Sequence, residues 1–437
     1  MQHAALSFIA LAACLAAPIQ AQEIEGSVAE DIAPVIDPDP AIGIAEAALE
    51  IAPVFDGHND VPIQLRRRFD NQINGFDFDD TTDTGPEVGG RPMHTDILRL
   101  REGRVGAQYW SVYVPASLTE PQAVQMTIEQ IDVMKRLIAQ YPDDLRYVET
   151  ADEVERAIAD GRVASMLGME GGHSIGSSLA VLRQMYALGA RYMTLTHSRN
   201  TPWADSATDD PEHGGLNDFG RDVIREMNRI GMLVDLSHVS EEAMMDALDV
   251  ARAPVIFSHS GARAINGHAR NVPDSVLMRL PENGGIVMVV ALPGFLNNER
   301  REWFAEREAQ QARLGSLYLG QPDVVEAEMA RWDADNPEPA TMISHMADHI
   351  DHIRDLIGIE YIGIGADFDG MPTGPVGFED VRGYPALFTE LARRGYSQVE
   401  LELISSRNAL RVLREAEEYA GRQAGRPPIE TRLSPGG

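Results

Sequence analysis

Eight short apolar, β-branched runs recur along the chain, and stretches with helical periodicity separate them. They are IAPVFD (51–56), AQYWSVYV (107–114), VASMLGME (163–170), ARYMTLTH (190–197), GMLVDLSH (231–238), PVIFSHS (254–260), GIVMVVA (285–291) and YIGIGADF (361–368). Two of the intervening helix patterns, SLAVLRQMYALG and DFGRDVIREMNRIG, close at a glycine, as helix ends often do. Strands alternating with helices imply a parallel sheet, and eight is the number that closes a (β/α)8 TIM barrel; an open doubly wound sheet is the alternative.

The barrel reading can be tested within the sequence, because catalytic groups in such barrels sit at the C-terminal ends of the strands. The first run ends in DGHND, which places His58 and Asp60 where uncompensated burial would be costly. The third ends at Glu170, the fourth at His197, the fifth at His238, the sixth at His259 and the eighth at Asp367. Any one histidine at a strand end can be a satisfied structural residue. Seven metal-competent or acid–base groups at six strand ends form a set.

Histidine and carboxylate without thiolate suit a borderline divalent ion such as zinc. Five ligands with one shared carboxylate could hold two ions about 3.5–4 Å apart, with water activated between them as nucleophile. His58 and Asp60 fit such a site, since residues i and i+2 at an extended strand end point to one side.

The motifs DGHNDVP, AQYWSVYVP, MEGGHSIG, LTHSRNTPWAD, DLSHVS, APVIFSHS, RNVPD, IGADFDG and SRNALR follow one another in that order between about residues 50 and 415. Together they resemble the membrane or renal dipeptidase family of zinc peptidases, within the amidohydrolase superfamily. The resemblance implies two zinc ions per subunit, the first on His58 and Asp60, the second on His238 and His259, with Glu170 bridging. It further implies that His197 contacts the carbonyl oxygen as it becomes an oxyanion. Arg270 would hold the carboxylate of a dipeptide substrate, and Asp367 would move the proton between water and leaving amine. Many amidohydrolase relatives bridge their metals with a carbamylated lysine. Here the single lysine, Lys135, lies in the helical pattern IDVMKRLIAQ, so the bridge falls to a carboxylate and Glu170 is the one at a strand end. A homodimer is implied by the resemblance alone.

Other histidines read as structural. His345, His349 and His352 fall at helical spacing in TMISHMADHIDHIRDLIG, along the flank of a core stripe of Ile343, Met346, Ile350, Ile353 and Ile357, and no HExxH is present. His173 follows Glu170 closely enough to support it without ligating metal, and His94, His213 and His268 carry no signal. ADFDG offers Asp369 as an alternative to Asp367, and the family pattern favours Asp367. The chain departs from that pattern after the seventh run. Residues 297–340 insert a charged, helical segment, and VALPGFLN replaces an asparagine–aromatic pattern, which bears on substrate preference.

The ends and the charge set the context. Residues 4–17 are apolar but too short to span a bilayer. With Ile19-Gln20-Ala21 they read as a signal peptide over 1–21, so the protein is expected to be exported, periplasmic or secreted. Leu11-Ala12-Ala13-Cys14 also matches a lipobox, making lipid anchoring through Cys14 the alternative. Residues 22–48 read as a linker, 49–420 as the barrel domain and 421–437 as a flexible tail, with no transmembrane segment after the signal. A net charge of −31 argues against nucleic acid or an anionic membrane surface as a partner.

Overall fold

The computed structural model describes residues 39–85 and 90–433. Nine strands form one parallel sheet: β1 (Val54–Asn59), β2 (Val105–Ser111), β3 (Leu145–Tyr147), β4 (Val163–Glu170), β5 (Ala190–Thr194), β6 (Leu233–Asp235), β7 (Ile256–Ser260), β8 (Ile286–Val289) and β9 (Ile362–Ile364). Pairing runs β2-β1-β9-β8-β7-β6-β5-β4-β3, and β2 also pairs with β4 over Ala107–Ser111 against Ala164–Gly168. Eight strands therefore close on themselves, the TIM barrel expected from the strand count, while β3 is an added strand along the first residues of β4. β3 escaped the sequence reading because LRY is too short to show a period.

The barrel interior is packed. Phe55, Tyr109, Met166, Tyr192, Leu233, Ile256 and Met288 fill it and join Val412 and Leu413 of the helix Asn408–Arg422 in one cluster. A filled interior leaves chemistry to the loops that follow the strands.

Three of the strands that lead to site residues stop sooner than the sequence implied. β5 ends at Thr194, β6 at Asp235 and β9 at Ile364, so His197, His238 and Asp367 lie on the loops just beyond. Left-handed backbone at His238 (φ 71°) and Asp367 (φ 68°) rules out continued strand geometry there. Such conformations cost about 1–3 kcal/mol each and concentrate at functional sites.

The ends of the domain also differ from expectation. The linker read over 22–48 is helical from Pro40, in a helix Pro40–Ile51 whose Ala41, Ala45, Ala48 and Leu49 are buried. Asp39 caps it by accepting from the Ala41 amide at 3.0 Å. Residues 421–437 do not all form a loose tail: the Ile429 amide donates to Glu226 at 3.2 Å and Arg183 donates to the Ile429 carbonyl at 3.1 Å. The signal, Cys14 and residues 22–38 lie outside the described residues. Among the described residues no helix is long and apolar enough to cross a membrane.

The 297–340 segment is helical as expected, a hairpin of Asn298–Leu317 and Pro322–Asp335. Arg307 grips Asp333 with two bonds of 2.8 and 2.9 Å, and Trp303 donates to the Asn336 carbonyl at 2.8 Å.

Candidate metal centre

The polar residues at the strand ends converge on Glu170, the last residue of β4. Its Oε2 faces His58 Nε2 at 3.4 Å, while its Oε1 faces His238 Nε2 at 3.0 Å, His259 Nε2 at 3.5 Å and His197 Nε2 at 3.7 Å. His58 Nε2 also lies 3.5 Å from Asp60 Oδ2. Potential ligand atoms of His58, Glu170 and His259, of Glu170, His197 and His238, and of His58, Asp60 and Asp367 each lie within 4.8 Å of one another. All seven strand-end residues therefore meet at one place. His259 stands near both His238, at 3.0 Å between the Nε2 atoms, and the group of His58 and Glu170.

Burial divides the set. His58, Asp60, Glu170, His238 and His259 are buried, whereas His197 and Asp367 keep partial access to solvent. The first five suit ligation, and the other two remain reachable from solvent.

The residues fit divalent cations on two observations. His58 Nε2 and Asp60 Oδ1 are buried with no hydrogen-bond partner, which is costly unless a cation takes the lone pairs. His238 Nε2 and His259 Nε2 lie 3.0 Å apart, both near the same Glu170 oxygen. The local field asks for positive charge as well. Burial works against charge on His58, yet Glu170 and Asp60 outweigh it and push the imidazole well above its usual value. Burial likewise opposes ionisation of Glu170, and the surrounding histidines overcome it and hold the carboxyl well below the usual range.

Hydroxyls and one buried acid orient the histidines from behind. His58 Nδ1 meets the Tyr192 hydroxyl at 2.9 Å, and His259 Nδ1 meets Ser258 Oγ at 2.8 Å. Ser258 in turn donates to Asp235 at 2.7 Å, so the Ser258 oxygen accepts from His259 and leaves Nε2 of that ring free to ligate. Asp56 accepts from the amides of His58 (2.9 Å) and Ala366 (2.8 Å), tying the end of β1 to the segment that carries Asp367. Ser111 donates to Glu170 at 3.1 Å. Tyr192, Asp235, Ser258, Asp56 and Ser111 were not singled out from sequence. Asp56, Asp235 and Ser258 did leave a signal, as polar residues inside otherwise apolar strands.

Arg270 is buried, and among the described residues its guanidinium makes a single long bond, from Nη2 to the His259 carbonyl at 3.4 Å. Nε and Nη1 have no partner among the described residues, and burial lowers its pKa to about 10. Its free donors suit an anion. Asp367 stands with His58 and Asp60, whereas Asp369 turns away and accepts from the His94 amide at 2.8 Å. Burial, with Asp60 and Glu170 nearby, pushes the Asp367 carboxyl well above its usual value against the pull of His58. Burial lowers His197, favouring the neutral ring.

The helix histidines have other partners. His345 accepts from the Met342 amide at 2.9 Å, and His352 meets Asp274 at 2.9 Å. His349 is buried and not on the flank; its Nδ1 accepts from the Ala262 amide at 2.8 Å. His173 is buried, His94 pairs with Arg91 at 2.8 Å, His213 meets the Thr201 carbonyl at 3.0 Å, and His268 accepts from the Arg270 amide at 3.1 Å.

Comparison with known proteins agrees with this geometry. Residues 44–426 match the model of the membrane dipeptidase family, peptidase family M19. The chain is 40% identical over 391 residues to dipeptidase 3 of Rattus norvegicus, covering 88% of this chain and 70% of the rat protein. It is 40% identical over 383 residues to dipeptidase tcpJ of Claviceps purpurea, covering 86% and 79%. The probable dipeptidase PvdM of Pseudomonas aeruginosa shares the fold, with a TM-score of 0.73 at 22% identity over 88% of this chain and 100% of that one. A metallopeptidase from Rhodobacter sphaeroides, solved with a phosphinate mimic of the dipeptide L-Ala-D-Ala, aligns with a TM-score of 0.67 at 25% identity over 84% and 99%. The chain belongs to the membrane dipeptidase family, peptidase family M19, and is a metal-dependent dipeptidase.

Proposed function

We propose that this dipeptidase works with two zinc ions per chain, His58 and Asp60 serving one, His238 and His259 the other, and Glu170 both. The observation that carries the reading is the division of Glu170, whose two oxygens face different histidines. Imidazole and carboxylate donors without thiolate favour zinc. When bound, the ions would supply Lewis acidity and a water acidic enough to attack at neutral pH.

The chain's own residues supply the rest. Arg270 offers two unpartnered donors to the C-terminal carboxylate of a dipeptide, a pairing that guanidinium geometry favours. His197, partly exposed beside Glu170, donates to the carbonyl oxygen as negative charge builds there. Asp367, partly open to solvent beside His58 and Asp60, takes the proton from water as a carboxylate and returns it to the leaving amine. The Rhodobacter sphaeroides relative was solved with a mimic of a dipeptide ending in a D-residue, so an L,D dipeptide is a substrate to test. We also propose export, on the apolar run 4–17 and the cleavage pattern ending at Ala21.

Turnover of L,L and L,D dipeptides, with and without chelator, tests the reading alongside metal analysis. About two zinc per chain and loss of turnover on chelation are expected. Full activity with one tightly held ion would overturn it.

A further inference from the structure

Arg270 sits in a loop that two side chains, neither of them a ligand, tie to its surroundings. Among the described residues the guanidinium's one hydrogen bond is the 3.4 Å bond to the His259 carbonyl, so hydrogen bonding of its own does little to place it. The backbone must do so, and residue 271 anchors that backbone. Asn271 is buried and joins three segments. Its Oδ1 accepts from the Gly261 amide at 2.9 Å, and its Nδ2 donates to the Asn266 carbonyl at 2.9 Å and the Phe295 carbonyl at 2.8 Å.

His349 makes the second tie. Its Nδ1 accepts from the Ala262 amide at 2.8 Å, which puts the ring proton on Nε2, and Nε2 donates to the Leu296 carbonyl at 3.2 Å. The loop after β7 is thereby fastened to the segment after β8. Both side chains crowd Gly261, where a Cβ would stand 2.7 Å from Asn271 Oδ1 and 2.7 Å from His349 Nδ1. The fastened segment carries Phe295, whose ring lies 5.5 Å from the Arg270 guanidinium carbon and 4.2 Å from the His268 ring. The helical hairpin starts here, and Asn298 in its first turn donates to the Ile265 carbonyl at 2.8 Å.

We propose that Asn271 and His349 are positioning residues for substrate binding: they set Arg270 where a dipeptide's C-terminal carboxylate arrives, and the hairpin braces the same loop. This rests on the reading that Arg270 receives that carboxylate. It gives the buried histidine of the helix Ile343–Ile357 a task that metal binding does not.

The test compares a dipeptide with its C-terminal amide, which lacks the anion, on the zinc-loaded enzyme. His349→Leu should raise KM for the dipeptide and lower its kcat/KM roughly ten- to hundredfold, the scale of a misplaced binding group. Turnover of the amide and zinc content should stay near wild type. His349→Gln keeps an acceptor and a donor and should recover most of the loss. If His349→Leu fails to accumulate, Asn271→Asp, which loses two donors with little change of shape, carries the same comparison. Equal losses on dipeptide and amide would overturn the proposal, as would unchanged kinetics where Arg270→Met is impaired. Arg270→Met is the control for the underlying reading. If it leaves the dipeptide-to-amide ratio unchanged, the carboxylate assignment itself fails.

Discussion

The Tyr192 hydroxyl lies 2.9 Å from Nδ1 of His58, reaching it through space that Gly168 leaves open. A Cβ on Gly168 would stand 2.0 Å from the Tyr192 ring. His58 is thus oriented from inside the barrel, by a side chain from β5 crossing in front of β4. Accepting the Nδ1 proton fixes the tautomer that leaves Nε2 for metal, and losing such a partner typically lowers metal affinity about 10–100-fold. Tyr192→Phe should therefore weaken the ion near His58 and Asp60 by that factor, measured by competition with a chromophoric chelator. Gly168→Ala should do the same by displacing the ring. Unchanged affinity in both variants would show that the hydroxyl is incidental.

Glu170 faces His58 with one oxygen and His238 and His259 with the other, so under the proposed two-ion reading its replacement should spare neither ion. Glu170→Gln is expected to lower bound zinc from about two towards none, while His238→Ala should retain about one. Metal analysis after gel filtration separates the outcomes. Retention of one tight ion in Glu170→Gln would mean the carboxylate serves a single ion.

The two aspartates of ADFDG should separate cleanly. Asp367→Asn is expected to lower turnover by about 10²–10⁴, the usual span for an acid–base group, with zinc retained. Asp369→Asn should leave turnover and zinc near wild type. Burial pushes the Asp369 carboxyl up from 3.8 to about 6, so between those values the folded chain holds a proton that the unfolded chain has lost. The contribution of this group to stability therefore falls as pH rises through that window and stays low above it. Asn has no proton to lose, so Tm of Asp369→Asn minus Tm of wild type should climb from pH 4 to pH 6 and then level off. A flat difference would place the Asp369 titration elsewhere.

What the sequence disclosed follows from which signals are local. His58, Glu170 and His259 close runs of apolar residues, so a strand-end rule finds them without any contact information. His197, His238 and Asp367 reach the same place although their strands stop three residues earlier, so the rule holds for the loops just past the strands as well. Tyr192 gave no warning, since a tyrosine inside an apolar strand is an ordinary core residue until its hydroxyl is seen beside His58. The helix Pro40–Ile51 was missed because the acidic, proline-containing stretch before it masked a buried face of small residues. His349 was read as flanking from the spacing of isoleucines, and only the packing of the two neighbouring loops shows it to be buried between them.

In the proposed reading Arg270 is the residue that meets the substrate carboxylate. Its guanidinium is buried in an acidic chain, keeps two donors without partners, and lies within the field of Glu170 and Asp367. A dipeptide carboxylate would complete it. Removing one member of a desolvated charge pair costs about 2–5 kcal/mol. Each 1.4 kcal/mol is a factor of ten, so Arg270→Met should lower kcat/KM for dipeptides by roughly thirty-fold to several thousand-fold. Zinc content should hold, since arginine is not a ligand. Dipeptide amides should begin as poor substrates and lose little more. Steady-state kinetics on matched dipeptide and amide pairs give the answer directly, and equal hydrolysis of dipeptides by variant and wild type would leave Arg270 a structural residue.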